Sequence, residues 1–539
     1  MKKIYLLLLT AASLASGVDA KAQVTYQKAY DFGNDDYVNQ ALPGASGTHF
    51  YVGSTNSTGA GGYDALFSAT DSTGNVLWEK QYGGTGTEYG TRFIHASDGS
   101  FVITGRSNSY SASGQHDAYI AKVDGSGTLL WSTTYGTDSL DYAFDIIEAP
   151  DSGYVIAGLT YGQSAPKLTG RSSVFVVKTD RNGNLQWSKA MGDTVGNEAA
   201  YTLAPAGPNG FLIGGYTGAG LIGMNDNLLL YCDWSGNILV SLVTGGTGDD
   251  EVRNIIAPTM NTNFLLLAGN TYSWSQNGSL FVQKINVGGG LPSVAWTKTY
   301  GGNGEYITDF INVNPNAYLL LGNSPVLNGG NNASFLTMID SNGVSQWTQY
   351  YPATSTTYNN LSDINLLPSG QLLLAGYTAA DGGTADDFYL VQANADGSAC
   401  GSMTATISDS LRTATQASVA PGTFFSDSLG INTASVSMST NSNSATAHQI
   451  CIYTGITDIS ADNSIGVYPN PASAAISVTA TTSIKEIKIT DNMGRVLYVN
   501  ANVNATEENI NVLGFAAGLY TVSVSSDMES KNIRLVITK

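Results

Sequence analysis

Six carboxylates recur at one position of a repeat: Asp36, Glu88, Asp141, Glu198, Asp250 and Glu305, each five residues ahead of an apolar residue, with Asn359 in the seventh place. Acidic oxygens gathered in a ring could hold a hard cation such as calcium or bind a polar ligand. Two carboxylates are also enough for glycoside chemistry. A residue kept in nearly every copy more often serves the repeat itself, by accepting backbone N–H bonds in its glycine-rich loop. A catalytic pair would have to differ from its equivalents in other copies, and this set does not. The expectation is a structural acid ring at a channel mouth, with no catalytic residue, metal ligand set or cofactor assigned and calcium left open as a ligand. His49, His95 and His116 occupy different repeat positions and His448 lies outside the repeats. No His/Cys spacing suits zinc, and neither a nucleophile elbow nor a phosphate loop occurs. Departures from the repeat are the better ligand candidates. They are Tyr161, Lys167 and Arg171 in "TYGQSAPKLTGRSS", and Tyr272 and Trp274 in "TYSWSQNG". Exposed aromatics beside Asn and Gln suit sugar recognition, although anchoring a loop is the plainer account of them.

The elements that must position these groups follow from two markers. Gly-x-Ser/Thr ends an apolar strand at Gly53, Gly105, Gly158, Gly215, Gly269, Gly322 and Gly376, at intervals of 52 to 57 residues. A tight Asp-x-x-Gly turn followed by tryptophan recurs in step, at Trp78, Trp131, Trp187, Trp296 and Trp347, with Val240 and Tyr26 in the other two places. Each unit reads as four short alternating strands bounded by Gly, Asn and Asp. Seven such units close into a propeller, which leaves few exposed sheet edges. The first strand, "VTYQKAY", has no earlier partners, and the last unit lacks its tryptophan-type strand, so the N-terminal strand is expected to complete the seventh blade. The tryptophans are core, wedged between sheets. The tight turns share one face of the propeller. The variable loops share the other, where binding specificity usually sits. The pattern "AKVDGSGTLLW" resembles the repeats of quinoprotein-like propellers. That resemblance implies packing alone, since the adjacent cysteine pair some of those enzymes carry near the cofactor is absent.

Composition sets the destination. The net charge of −19 argues against nucleic acid or anionic lipid as partner. Residues 1–22, with two lysines, an apolar run and Ala20-Lys21-Ala22, read as a secretory signal peptide. No later stretch is apolar for long enough to span a membrane. Cys232 lies in an apolar strand and is expected to be a buried thiol. Cys400 and Cys451 are expected to form a disulfide in the oxidising compartment, closing a loop worth on the order of 4 kcal/mol.

The propeller is expected over residues 23–398. Residues 399–455, rich in Ser and Thr, read as a linker or small β segment. Residues 456–539 then supply "VYPNP" with Tyr468, Pro469, Asn470 and Pro471, "DNMGR" with Gly494, and "AAGLYTVSV" with Gly518 and Tyr520. Their order and spacing resemble the type A C-terminal sorting domain of the type IX secretion system. The resemblance implies an immunoglobulin-like β-sandwich, docking to the outer-membrane secretion machinery of Bacteroidota, and removal by a sortase-like peptidase, leaving the cargo extracellular or on the cell surface. Four Asp-Ser/Thr-apolar tripeptides, at Asp138, Asp193, Asp409 and Asp427, resemble the O-glycosylation sequon of the same group. The fold class read from sequence is thus all-β: a seven-bladed β-propeller, a Ser/Thr-rich linker and a C-terminal β-sandwich. The function expected is a non-enzymatic binding or adhesion propeller for a glycan or protein. The alternatives are a polysaccharide-active hydrolase or lyase and a structural matrix protein without a discrete ligand.

Overall fold

The computed structural model describes residues 24–537 apart from short stretches, the longest being 163–168, 258–262, 353–357, 380–384, 419–423 and 455–464. The chain divides into two units, residues 24–454 and the C-terminal region from Gly455.

The first unit is a seven-bladed propeller. Its innermost strands are Asp36–Pro43, Glu88–His95, Asp141–Glu148, Glu198–Pro205, Asp250–Ile256, Tyr306–Asn314 and Asn359–Leu366, which number blades 1 to 7. In each blade three further antiparallel strands follow outward. Blade 7 takes its fourth strand from the N-terminus, where Val24–Asp31 pairs with Asp387–Ala393. The ring is therefore closed by its own first strand, as the missing strand in the last repeat implied.

The repeated turn and tryptophan form a clasp between blades. In six of the seven blades the turn lies on the aromatic of the blade before it, Val240 taking the aromatic's place in blade 4. A Cβ at Gly127 would come 2.8 Å from the Trp78 ring, and φ there is +76°, so this place needs glycine twice over. The same turn's carbonyl accepts the Tyr82 hydroxyl, as Gly343 accepts that of Tyr300 and Gly397 that of Tyr351, both at 2.8 Å. Asp71, first residue of the equivalent turn in blade 1, accepts the Thr73 and Asn75 amides at 2.8 and 2.9 Å.

The Ser/Thr-rich segment is neither tether nor separate domain. It runs once round the propeller against the order of the blades and adds a fifth, outermost strand to every one. Met403–Ala405 pairs with blade 6, Asp409–Arg412 with blade 5, Thr415–Ser418 with blade 4 and Phe425–Ser428 with blade 3. Asn432–Ser435 then pairs with blade 2, Ser439–Asn441 with blade 1, and Thr446–Thr454 with the N-terminal strand in blade 7. Between these short strands single apolar side chains seat in the grooves between blades. Phe424, Leu429 and Met438 are buried in three successive inter-blade clusters. Cys400 is disulfide-bonded and Cys232 is a free, buried thiol. The Cys451 side chain lies outside the described residues, but its backbone is opposite Gln27, whose side-chain amide donates to the Cys400 carbonyl. The two ends of this belt therefore meet.

The C-terminal unit is a β-sandwich. Its long strand Ala475–Asp491 pairs with Ala505–Asn511 over its first half and with Gly518–Ser526 over its second. Ile476, Val478, Ile487, Ile489, Val522, Val524 and Leu535 fill the core.

Candidate functional site

Every innermost strand carries a β-bulge, and at one place: between Val38 and Gln40, Gly90 and Arg92, Ala143 and Asp145, Ala200 and Thr202, Val252 and Asn254, Ile307 and Asp309, and Leu361 and Asp363. A bulge puts two residues opposite one and re-aims the extra side chain. Here the extra residues are Asn39, Thr91, Phe144, Tyr201, Arg253, Thr308 and Ser362, and all seven line a central cavity of about 600 Å³.

The residue after each bulge stitches the ring. Gln40 accepts the Phe93 amide at 2.7 Å, Asp145 that of Leu203 at 2.6 Å, Asp309 that of Ile364 at 3.0 Å and Asp363 that of Ala41 at 3.1 Å. Each bond crosses to the next blade. Arg92 takes the same place in blade 2 and pairs with Asp363 at 3.0 Å. Burial pushes the Asp145, Asp309 and Asp363 carboxyls up, with the Asp309 charge adding to the rise at Asp363 and Arg92 opposing it.

The cavity wall is aromatic over five neighbouring blades. Tyr377 meets Tyr37 edge-on at 4.9 Å, Tyr37 lies 6.0 Å from Tyr63, and Tyr63 stacks on Tyr89 at 5.3 Å. The Arg106 guanidinium sits 4.5 Å from both the Tyr89 and the Tyr142 rings. Phe144 continues the arc to Tyr201 at 5.5 Å, and Tyr201 to Tyr216 at 5.9 Å. The remaining wall is mixed, with Tyr306 and Ile307 beside Arg253, Asn270, Thr308 and Ser362. Arg253 stacks over Tyr201 at 3.7 Å and is tied to Glu251 at 2.7 Å, which also accepts the Asn270 amide at 3.0 Å. Burial raises the Tyr37 and Tyr201 hydroxyls well above the usual phenol range, so both are neutral donors at physiological pH.

The acid ring lies inside the blades, and none of its members is among the residues lining the cavity. Five of the six accept an amide of the loop just before them. Asp36 accepts the Phe32 amide at 3.0 Å, Glu88 that of Gly84 at 2.6 Å, Asp141 that of Thr137 at 2.6 Å, Asp250 that of Gly246 at 2.8 Å and Glu305 that of Gly302 at 2.7 Å. The hydroxyl of the Gly-x-Ser/Thr motif supplies a second bond, as from Ser107 to Glu88 at 2.7 Å and Thr217 to Glu198 at 3.2 Å. Burial raises Asp36 to about 7, and it raises Asp141 and Asp250 as well. Among the described residues no group of three or more His, Cys, Asp or Glu is placed to hold a metal ion.

Of the loop candidates, Tyr161, Arg171 and Tyr272 are exposed and Trp274 is half-buried, none of them on the cavity wall, while Lys167 lies outside the described residues. Sequence reasoning missed the wall itself. Its signal was present: the bulged residue stands three places after the ring position in every repeat and, unlike that position, differs from blade to blade.

In the C-terminal unit Tyr468 is exposed at the end of a strand, Gly518 opens one, and Tyr520 is buried with its hydroxyl donating to the Ala516 carbonyl at 2.7 Å. Pro469, Asn470, Pro471 and Gly494 lie outside the described residues.

Residues 466–538 match the family described as "Secretion system C-terminal sorting domain". No curated protein matches the chain. Among solved structures, a crystal structure of the polysaccharide lyase Uly1 is 10% identical, covers 69% of this chain and 99% of its own, and has a TM-score of 0.42. A putative exo-beta-1,3-galactanase from Bifidobacterium bifidum s17 is 12% identical, covers 50% of this chain and 96% of its own, with a TM-score of 0.30. Prolyl oligopeptidase B from Galerina marginata is 11% identical, covers 65% and 50%, with a TM-score of 0.34. At such scores these likenesses carry no argument about this chain. Among the described residues no helix is long and apolar enough to cross a membrane. The sorting domain engages the secretion machinery and directs the chain to the cell surface or extracellular space. The chain is a seven-bladed β-propeller that carries a type IX secretion sorting tail.

Proposed function

We propose that the exported propeller binds a glycan, received end-on in the central cavity. The observation that carries this reading is the aromatic arc from Tyr377 through Tyr37, Tyr89, Phe144 and Tyr201 around a cavity of about 600 Å³. Sugars offer apolar C–H faces to aromatic rings and hydroxyls to amides, and Asn39, Thr91, Asn270, Thr308 and Ser362 supply the polar groups in the same wall. The volume lies within the roughly 300–1,000 Å³ usual for small-ligand sites, so a chain end fits better than a long stretch of polymer. A single phenol lost from such a wall weakens binding about tenfold or more.

The test is a glycan array probed with the chain, followed by titration of each hit. Tyr201→Ala is expected to weaken the hits at least about tenfold while leaving the melting temperature within a few degrees. Arrays with no hit, or hits indifferent to Tyr201→Ala and displaced by changes at Tyr272 or Trp274, remove the site from the cavity. Product analysis accompanies the titration, and shortened oligosaccharides would replace the binding reading with an enzymatic one.

A further inference from the structure

Three arginines line the cavity, and they are not equivalent. Arg92 is paired with Asp363 at 3.0 Å and Arg253 with Glu251 at 2.7 Å. Arg106 makes no ion pair and no hydrogen bond among the described residues. It is held by ring faces alone, Tyr89 and Tyr142 each 4.5 Å from its central carbon. Stacking of this kind fixes the guanidinium plane and leaves its N–H edge unoccupied. Its Nε is buried without a hydrogen-bond partner, and so is the Nδ1 of His116, whose ring lies 6.3 Å from Tyr89 and 5.9 Å from Tyr142. An unsatisfied buried donor beside an uncompensated cation is costly unless a ligand completes it. Burial, reinforced by the Arg106 charge, lowers the His116 pKa, so the imidazole is neutral and does not compete as a second cation.

We infer that Arg106, clamped between Tyr89 and Tyr142, is the subsite for the carboxylate of a single uronic acid at the end of a glycan. This rests on the reading of the cavity as a glycan site and adds the class of sugar. A planar two-oxygen acceptor is the group a rigid guanidinium edge matches, through two parallel N–H···O bonds. The overall charge of −19 opposes a polyanionic chain, while one carboxylate within the site is set against the local cation.

The experiment titrates the full chain with three oligosaccharides that differ only in the terminal residue: glucuronic acid, its methyl ester, and glucose. The acid is expected to bind on the order of 10- to 100-fold tighter than ester or glucose, the range for charge-assisted hydrogen bonds. Arg106→Gln should erase that preference, so that within the variant the acid-ended chain binds no tighter than the ester-ended one. Arg106→Lys should restore little of it, because a point charge cannot reproduce the fork. Equal affinity for acid and ester on the unaltered chain overturns the inference without any variant, so a misfolded variant cannot rescue it. So does a preference kept by Arg106→Gln. If ester and glucose ends bind in a Tyr201-dependent way and the acid gains nothing, the uronate subsite falls and the glycan site stands. If none of the three binds, both fall.

Discussion

At the scale of residues, the same carboxylates that look chemical in the sequence are consumed in holding loops, and they leave a titration signature. Asp117 stands at the start of the third strand of blade 2, facing Asp141 and Asp138, with Ser111 as hydrogen-bond donor. Burial first and Asp141 second raise it to about 7, and burial likewise raises Asp36 to about 7. A carboxyl whose folded pKa is raised binds its proton more tightly in the folded chain than in the unfolded one. Its contribution to stability is complete below the unfolded value, and it is lost as pH rises through the folded value. The propeller is therefore expected to lose melting temperature between about pH 4 and pH 7 from these groups. Asp117→Asn should remove part of that slope, raising the melting temperature at pH 8 relative to the parent and changing it little at pH 4. Melting curves at a series of pH values check this. A variant that is less stable at pH 8 would show that the ionised Asp117 is held by a partner instead.

At the scale of elements, what could be read from the chain depended on repetition. The blades were legible because glycine, tyrosine and tryptophan recur wherever one turn packs on its neighbour, as Gly127 does on Trp78. The cavity was not, because every blade contributes to its wall an innermost-strand residue at a position that the repeat leaves free, Tyr201 in one blade and Thr308 in another. The belt was illegible for a different reason. Its strands are three or four residues long in six of the seven places, and its apolar anchors come singly, Phe424, Leu429 and Met438, separated by serine, threonine and asparagine. Such composition reads as a linker, yet each anchor closes a groove between blades. Truncating Phe424 to alanine should cost about 3 kcal/mol, the low end for a buried phenylalanine. Cys400→Ser, which frees one end of the belt, should cost about 2–4 kcal/mol if the partner is Cys451. Denaturant unfolding of the two variants and of the reduced parent measures both. A reduced parent as stable as the oxidised one would mean that the clasp contributes nothing to the folded ring.

At the scale of the whole molecule, the belt moves the boundary between cargo and address. The sequence places the end of the propeller at Ser398, where the last repeat stops, but the seven outer strands are still to come. A chain cut at Ser398 would expose the outermost strand of every blade, each a row of unpaired N–H and C=O groups beside an emptied apolar groove, which is a template for association. A chain cut at Thr454 keeps the belt and sheds only the sorting unit. The expected outcome is a monodisperse, cooperatively melting protein for residues 23–454 and aggregation, or a melting temperature lowered by more than about 10 °C, for residues 23–398. Size-exclusion chromatography and thermal melts of the two decide it. Equal behaviour would show that the propeller is finished at its fourth strands and that the belt is decoration. The expected difference carries a consequence for export. A chain that sheds its sorting unit keeps the belt whole only where the cut falls beyond Thr454, because any cut inside the belt uncovers an outermost blade strand and the apolar groove beside it.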